Sequence, residues 1–111
     1  MNKEIIEQSA FEIISYAGGA KALFLEAVDY ICDFEFEKAQ KCIKQGQEIL
    51  AQSHESHYKL ITMEANDSLE KTSLLLIHAE DQFMSAENSL VLAQKLLKVM
   101  QTIEKKLNMK G

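Results

Sequence analysis

The stretch Leu74–Met100, LLLIHAEDQFMSAENSLVLAQKLLKVM, carries two apolar stripes on what reads as one helix. The first, Ala79, Phe83, Ala86, Leu90, Ala93, Leu97 and Met100, recurs at steps of three and four residues. That is the spacing of one helix face, and it is enough to seal a helical core. The second, Leu74, Ile77, Asp81, Met84, Asn88 and Val91, alternates strictly between steps of three and four, as a coiled-coil seam does. A lone chain leaves that second seam wet. The pattern therefore predicts self-association through this helix without fixing the number of copies.

Upstream, Ile6, Ala10, Ile13, Ala17, Ala20, Phe24, Ala27 and Ile31 draw a single stripe along a first helix from about Lys3 to Ile31. Gly18-Gly19 falls within it, at a cost of about 2 kcal/mol in helix propensity relative to two alanines, and predicts a kink or a close helix contact. Asp33 reads as the N-cap of a second helix, with Glu35 and Glu37 in its first turn, where the helix dipole favours acids. That helix runs to about Ala65, with Phe36, Ala39, Ile43, Gly46, Leu50, His57 and Ile61 on one side. Asn66-Asp67-Ser68 is a polar turn, and Asp67 or Ser68 is expected to cap the third helix, from about Leu69 to Leu107. Proline is absent, so nothing interrupts long helices. Three helices of about 30 residues would each span about 45 Å. Short connections make neighbours antiparallel, which predicts an all-α, up-down-up three-helix bundle forming one domain over residues 1–111.

Charge narrows the function classes. The net charge is −5, and every one of the 12 basic residues is lysine, interleaved with acids as in Glu104-Lys105-Lys106. Nucleic-acid binding asks for a concentrated basic face, and bidentate phosphate recognition for arginine; neither is present. The longest purely apolar run, Leu74–Ile77, is far too short to span a bilayer, so no membrane insertion is expected. Met1-Asn2-Lys3-Glu4 leads straight into a helical pattern, with no signal peptide expected and a cytoplasmic home implied. Cys32 and Cys42, with no CxxC, read as small hydrophobes near a helix boundary.

A few side chains could carry chemistry. Asp81 stands where the second seam asks for an apolar residue. Either it is solvated at the seam's edge, or several copies converge on an axis and their repulsion calls for protons or a hard divalent cation such as Mg²⁺. His78 lies three residues before it, close on the helix surface, where a carboxylate can orient an imidazole. A neutral imidazole is a competent nucleophile, and once phosphorylated it can pass the group on. His-x-x-Asp alone is also what a structural histidine looks like. His54 and His57, three apart on the second helix, read as polar core histidines, with a three-histidine zinc site as the sharper alternative.

The segment Leu74-Leu-Leu-Ile-His78-Ala-Glu-Asp81-Gln-Phe-Met84-Ser resembles the active-site helix of the lactose/cellobiose-type enzyme IIA proteins of the phosphoenolpyruvate-dependent sugar phosphotransferase system. In that family an apolar run precedes His-x-x-Asp, and a methionine follows three residues after the aspartate. Phe11-Glu-Ile-Ile-Ser-Tyr-Ala-Gly18 resembles the family's first helix, Asp33-Phe34 with Ala39 the start of its second, and His54 a histidine late in that helix. The resemblance implies a homotrimer of three-helix bundles. It makes His78 the phosphorylated residue and Asp81 the residue whose three copies gather around a divalent metal, Mg²⁺ by the chemistry of carboxylates. The donor it implies is the histidine-containing phosphocarrier protein, and the acceptor a cysteine of the cognate enzyme IIB, in uptake of a disaccharide of the lactose, cellobiose or chitobiose type.

The chain departs from the family at two places. Many members carry a second histidine directly after the aspartate, where this chain has Gln82, able to donate a hydrogen bond to a phosphoryl oxygen but without positive charge. Many also carry glutamine and threonine where His57 and Tyr58 stand, so no role carries over to those two. The competing reading is a non-catalytic helical adaptor built on the same three helices.

Overall fold

Uninterrupted helix formers give uninterrupted helices. The computed structural model describes residues 2–66 and 73–110. It contains α1 (Asn2–Cys32), α2 (Phe36–Ala65) and α3 (Leu74–Lys110), and among the described residues there is no strand. The helices form a rod of 65 × 19 × 19 Å. α1 packs along both other helices, whereas α2 and α3 touch each other much less.

Small residues explain how α1 can serve two neighbours. Its buried stripe includes Ala10, Ala17, Ala20 and Ala27. α2 buries Ala39, Gly46 and Ser53 at seven-residue steps, and α3 buries Ala79, Ala86 and Ala93 at the same steps. Short side chains at heptad spacing let helix backbones approach along a seam. Larger residues fill between them: Ile13 and Phe24 from α1, Ile43, Leu50 and Leu60 from α2, Leu76 and Phe83 from α3. Ser53 is fully buried, its Oγ donating to the Leu50 carbonyl at 2.6 Å, so its hydroxyl is satisfied within its own helix.

The helix ends differ from the sequence reading. Asp33 does not cap α2. The chain reverses through a Schellman-type end to α1: Phe34 N–H donates to the Ile31 carbonyl at 3.0 Å and Glu35 N–H to the Tyr30 carbonyl at 2.9 Å. Phe34 takes the left-handed conformation, φ 59°, and its ring packs 5.4 Å from that of Phe36. Orphan carbonyls of α1 are thereby satisfied, and Glu35 occupies the α2 N-cap without a side-chain bond there, its carboxylate pairing with Lys38 at 3.1 Å. α3 begins at Leu74, and its cap is Ser73, whose Oγ accepts from Leu76 N–H at 3.2 Å. The caps expected at Asp67 and Ser68, and the start at Leu69, lie outside the described residues.

Gly18-Gly19 neither ends nor interrupts α1, and neither glycine is needed for a close contact: a Cβ at Gly18 would meet nothing within 4 Å. Gly46 is the glycine the packing requires, since a Cβ there would run into the Phe24 ring. In α2 the inward face drifts from the expected stripe, burying Ser53, Ser56 and Leu60 while Ile61 is exposed.

The second seam of α3 stands in solvent. Leu74 is 82% exposed, Ile77 55% and Met84 57%, and exposed apolar residues continue through Val91, Leu92, Leu96 and Val99. Among the described residues no helix is long and apolar enough to cross a membrane.

Candidate functional site

The antiparallel path brings the early part of α1, the late part of α2 and the first turns of α3 to one end of the rod. Cross-helix polar contacts mark this end. Ser56 Oγ donates to Glu12 Oε2 at 2.6 Å, joining α2 to α1. His57 Nε2 lies 2.8 Å from Glu80 Oε1 and 3.0 Å from Oε2, joining α2 to α3. An ionised carboxylate only accepts, so Nε2 carries the hydrogen. The His57 ring also stacks on Phe83 at 4.2 Å with an interplanar angle of 14°, and His54 meets the same ring edge-on at 5.3 Å.

His78 lies on the first turns of α3 and is exposed, with exposed Ile77 beside it and Asp81, also exposed, three residues on. Gln82, one turn beyond His78, is half-buried. The expected orienting contact between His78 and Asp81 is not made: among the described residues the only histidine–carboxylate pair is His57 with Glu80. Phe83 belongs to the core, as its place in the first stripe predicts, whereas Ile77 and Met84 are on the surface.

The other histidines divide differently from the core pair expected. His57 is half-buried, His54 is exposed, and both turn toward Phe83. Among the described residues no group of three or more His, Cys, Asp or Glu side chains within one chain is placed to hold a metal. Tyr58 is exposed. Cys32 and Cys42 are both free thiols; burial, with a smaller push from the Glu26 carboxylate, raises the Cys42 thiol above its ordinary value.

Chemically, the end of the rod offers a solvent-facing imidazole that has no hydrogen-bond or ion-pair partner among the described residues, with exposed Ile77 beside it. That suits a nucleophile which meets its co-reactant on the surface of another protein. The sequence reading missed Glu80 and the Glu12–Ser56 contact. Each depends on how two helices are aligned along their axes, and no local spacing encodes that alignment.

Comparison with known proteins accords with this arrangement. Residues 8–101 match the family of lactose/cellobiose-specific IIA subunits of the PTS system. The lactose-specific EIIA component of Staphylococcus epidermidis is 33% identical over 85 residues, covering 77% of this chain and 82% of that protein. The lichenan-specific phosphotransferase enzyme IIA component of Bacillus subtilis is 29% identical over 103 residues, 93% of each chain. The crystal structure of the cellobiose-specific enzyme IIA from Bacillus anthracis superposes with a TM-score of 0.85 at 28% identity, covering 91% of this chain and 93% of that one. A match across most of the chain, at this identity and in this fold, means that the chain belongs to the lactose/cellobiose-specific IIA family of the PTS system, as one of its phosphotransferase components.

Proposed function

We propose that this protein is a cytoplasmic phosphoryl carrier of sugar uptake, built as one IIA domain, with His78 as the residue that is phosphorylated. The observation that carries the reading is the exposure of His78 on α3, with no partner among the described residues and with exposed Ile77 and Met84 on the same helix. A ring nitrogen of His78 attacks the phosphorus held on the histidine-containing phosphocarrier protein. The new N–P bond forms as the donor's N–P bond breaks. On the second encounter, a cysteine thiolate of the cognate enzyme IIB attacks the same phosphorus, the S–P bond forms, and His78 returns to its free state. Little chemistry is asked of the protein beyond placing the reacting atoms in line and excluding water, which apolar neighbours do. Gln82, one turn beyond His78, carries an amide able to donate a hydrogen bond to a phosphoryl oxygen. The sugar is a disaccharide of the lactose, cellobiose or chitobiose type, a reading supported by relatives named for lactose and cellobiose.

The assembly is part of the proposal. The row of exposed aliphatic residues along α3 is covered by two further copies of the helix, giving a homotrimer. Asp81 lies in register with that row, between Ile77 and Met84, and among the described residues it has no cation partner. Three such carboxylates on an axis form an all-oxygen donor set suited to a hard divalent ion, Mg²⁺ above others. When bound, the ion supplies the positive charge that lets three carboxylates be buried together.

Incubating the protein with phosphoenolpyruvate and the general phosphotransfer proteins tests the reading. An acid-labile, base-stable adduct on His78 is expected, and its absence from His78→Gln. A helical adaptor using the same faces would leave sugar uptake intact in His78→Gln cells, and that outcome would overturn the proposal.

A further inference from the structure

We infer that His57 and Glu80 are positioning residues for His78: their contact sets the rotation of α3 about its own axis, and so the direction in which the His78 ring faces a visiting protein. The inference rests on the phosphoryl-carrier reading for its kinetic arm only.

Three observations support it. First, α2 and α3 touch sparingly, and among the described residues the His57–Glu80 contact is the only polar link between them. Second, among the described residues the remaining hold on this part of α3 is apolar packing, chiefly against α1, with no directional bond to another helix. Leu76 and Phe83 are buried there, and Ala79 has no side chain beyond Cβ to resist rotation. Against that background, an imidazole N–H reaching both oxygens of one carboxylate, at 2.8 and 3.0 Å, with its ring stacked 4.2 Å from Phe83, fixes an angle. Third, Glu80 is two residues after His78 and one before Asp81 on an unbroken helix, so a constraint on one is a constraint on all three.

The lever is short but sufficient. Side chains extend to a radius of about 5–6 Å from a helix axis, so about 10° of rotation carries a tip through about 1 Å. A misplacement of that size can cost about 10²-fold in a reaction that depends on alignment. The link needs a donor hydrogen at position 57 and not a charge. Glutamine is therefore able to replace His57, whereas phenylalanine, which keeps the stack on Phe83 and loses the N–H, is not.

The test compares His57→Phe, His57→Gln, Glu80→Ala and the His57→Phe/Glu80→Ala double variant in phosphoryl transfer from the phosphorylated phosphocarrier protein. His57→Phe and Glu80→Ala are expected to slow transfer at saturating donor by about 10- to 100-fold, with the donor KM changed by less than about threefold. His57→Gln should stay within about threefold of wild type, and the double variant should be no slower than either single one, because the pair acts as a unit. Wild-type rates in His57→Phe, or a His57→Gln as slow as His57→Phe, would overturn the inference. Circular dichroism and melting establish that each variant folds. Should His57→Phe not fold, Glu80→Ala decides, since the Glu80 side chain is 43% exposed and its loss leaves no cavity. Side-chain ¹⁵N resonances of His78 give a readout independent of transfer: they should move in His57→Phe and hold in His57→Gln. A wild-type protein that takes no phosphoryl group on His78 sinks the functional reading instead, and the resonances then decide the positioning role alone.

Discussion

Along the inner face of α3, Ala79, Phe83, Ala86 and Ala93 are buried against the other two helices, whereas along its outer face Leu74, Ile77, Met84 and Val91 stand in solvent beside His78 and Asp81. Both faces are apolar, so hydrophobicity does not separate them. What separates them is size. The inner face alternates alanine with larger residues, as a surface must if backbones are to approach; the outer face has long aliphatic side chains and no need to fit a neighbour in the same chain. The inner face is accounted for by the fold of one chain, and the outer face is not. The sharpest test of this division is His78→Gln, on the outer face. Phosphoryl transfer should be lost entirely, while helicity and unfolding free energy stay within about 0.5 kcal/mol of wild type, as for surface changes generally. Residual transfer at a tenth of the wild-type rate or more would place the nucleophile elsewhere.

Phe83 and Met84 put the contrast on adjacent residues, about 100° apart around the helix. Phe83 is buried and supports both His54 and His57, so Phe83→Ala should cost about 3–5 kcal/mol, a large part of the 5–15 kcal/mol typical of a domain. Met84→Ala should change the unfolding of dilute protein by less than about 0.5 kcal/mol and weaken self-association instead. Denaturant melts at several protein concentrations, read beside sedimentation, separate the two effects. If Met84→Ala destabilises at every concentration alike, the outer face is part of the single-chain core and the comparison fails.

Much of this division is legible in periodicity, because a face is a property of one helix. Ala79, Phe83, Ala86 and Ala93 read as core and are core, and the second seam reads as unpartnered and is exposed. What periodicity does not carry is the alignment between helices. His57 and Glu80 are 23 residues apart, and nothing in either neighbourhood announces the other. Serines mislead for a related reason: Ser53 and Ser56 look like surface, yet both are buried because the Leu50 carbonyl and Glu12 satisfy their hydroxyls. Asp33 has the chemistry of an N-cap and sits one residue before Phe34, whose left-handed turn closes α1 from the other side. Competition between two ways of satisfying helix ends was decided by backbone bonds, which residue identity at one position does not reveal.

The two cysteines carry the inside–outside contrast to the other helices. Cys32, the last residue of α1, is exposed; Cys42 is buried in α2, where burial raises its thiol above the ordinary value and shields it from reagents. Under native conditions Cys32 should react with a maleimide at the rate of a free thiol. Cys42 should lag by about 10³-fold or more, since it reacts only when the helix opens, with both equal in denaturant. Mass spectrometry of partly labelled protein reads the difference. Equal native rates would show that the α1–α2 seam is open around Cys42.

Glycines give the smallest and most discriminating effect, because the same substitution should have opposite signs at two sites. At Gly18 a Cβ meets nothing within 4 Å, so Gly18→Ala adds only helix propensity and should stabilise by about 0.5–1 kcal/mol. At Gly46 the added Cβ would lie 2.8 Å from Cδ1 and 2.9 Å from Cζ of Phe24, a ring that is itself fully buried and has nowhere to retreat. Overpacking of that kind costs about 1–3 kcal/mol, more than the propensity returned, so Gly46→Ala should be destabilising on balance. Combining it with Phe24→Leu, which frees the volume of the ring, should recover part of the loss, as expected for residues in direct contact. Urea denaturation of the three variants suffices. Were Gly46→Ala to stabilise as Gly18→Ala does, α2 would not sit as close to α1 as its alanine, glycine and serine seam requires.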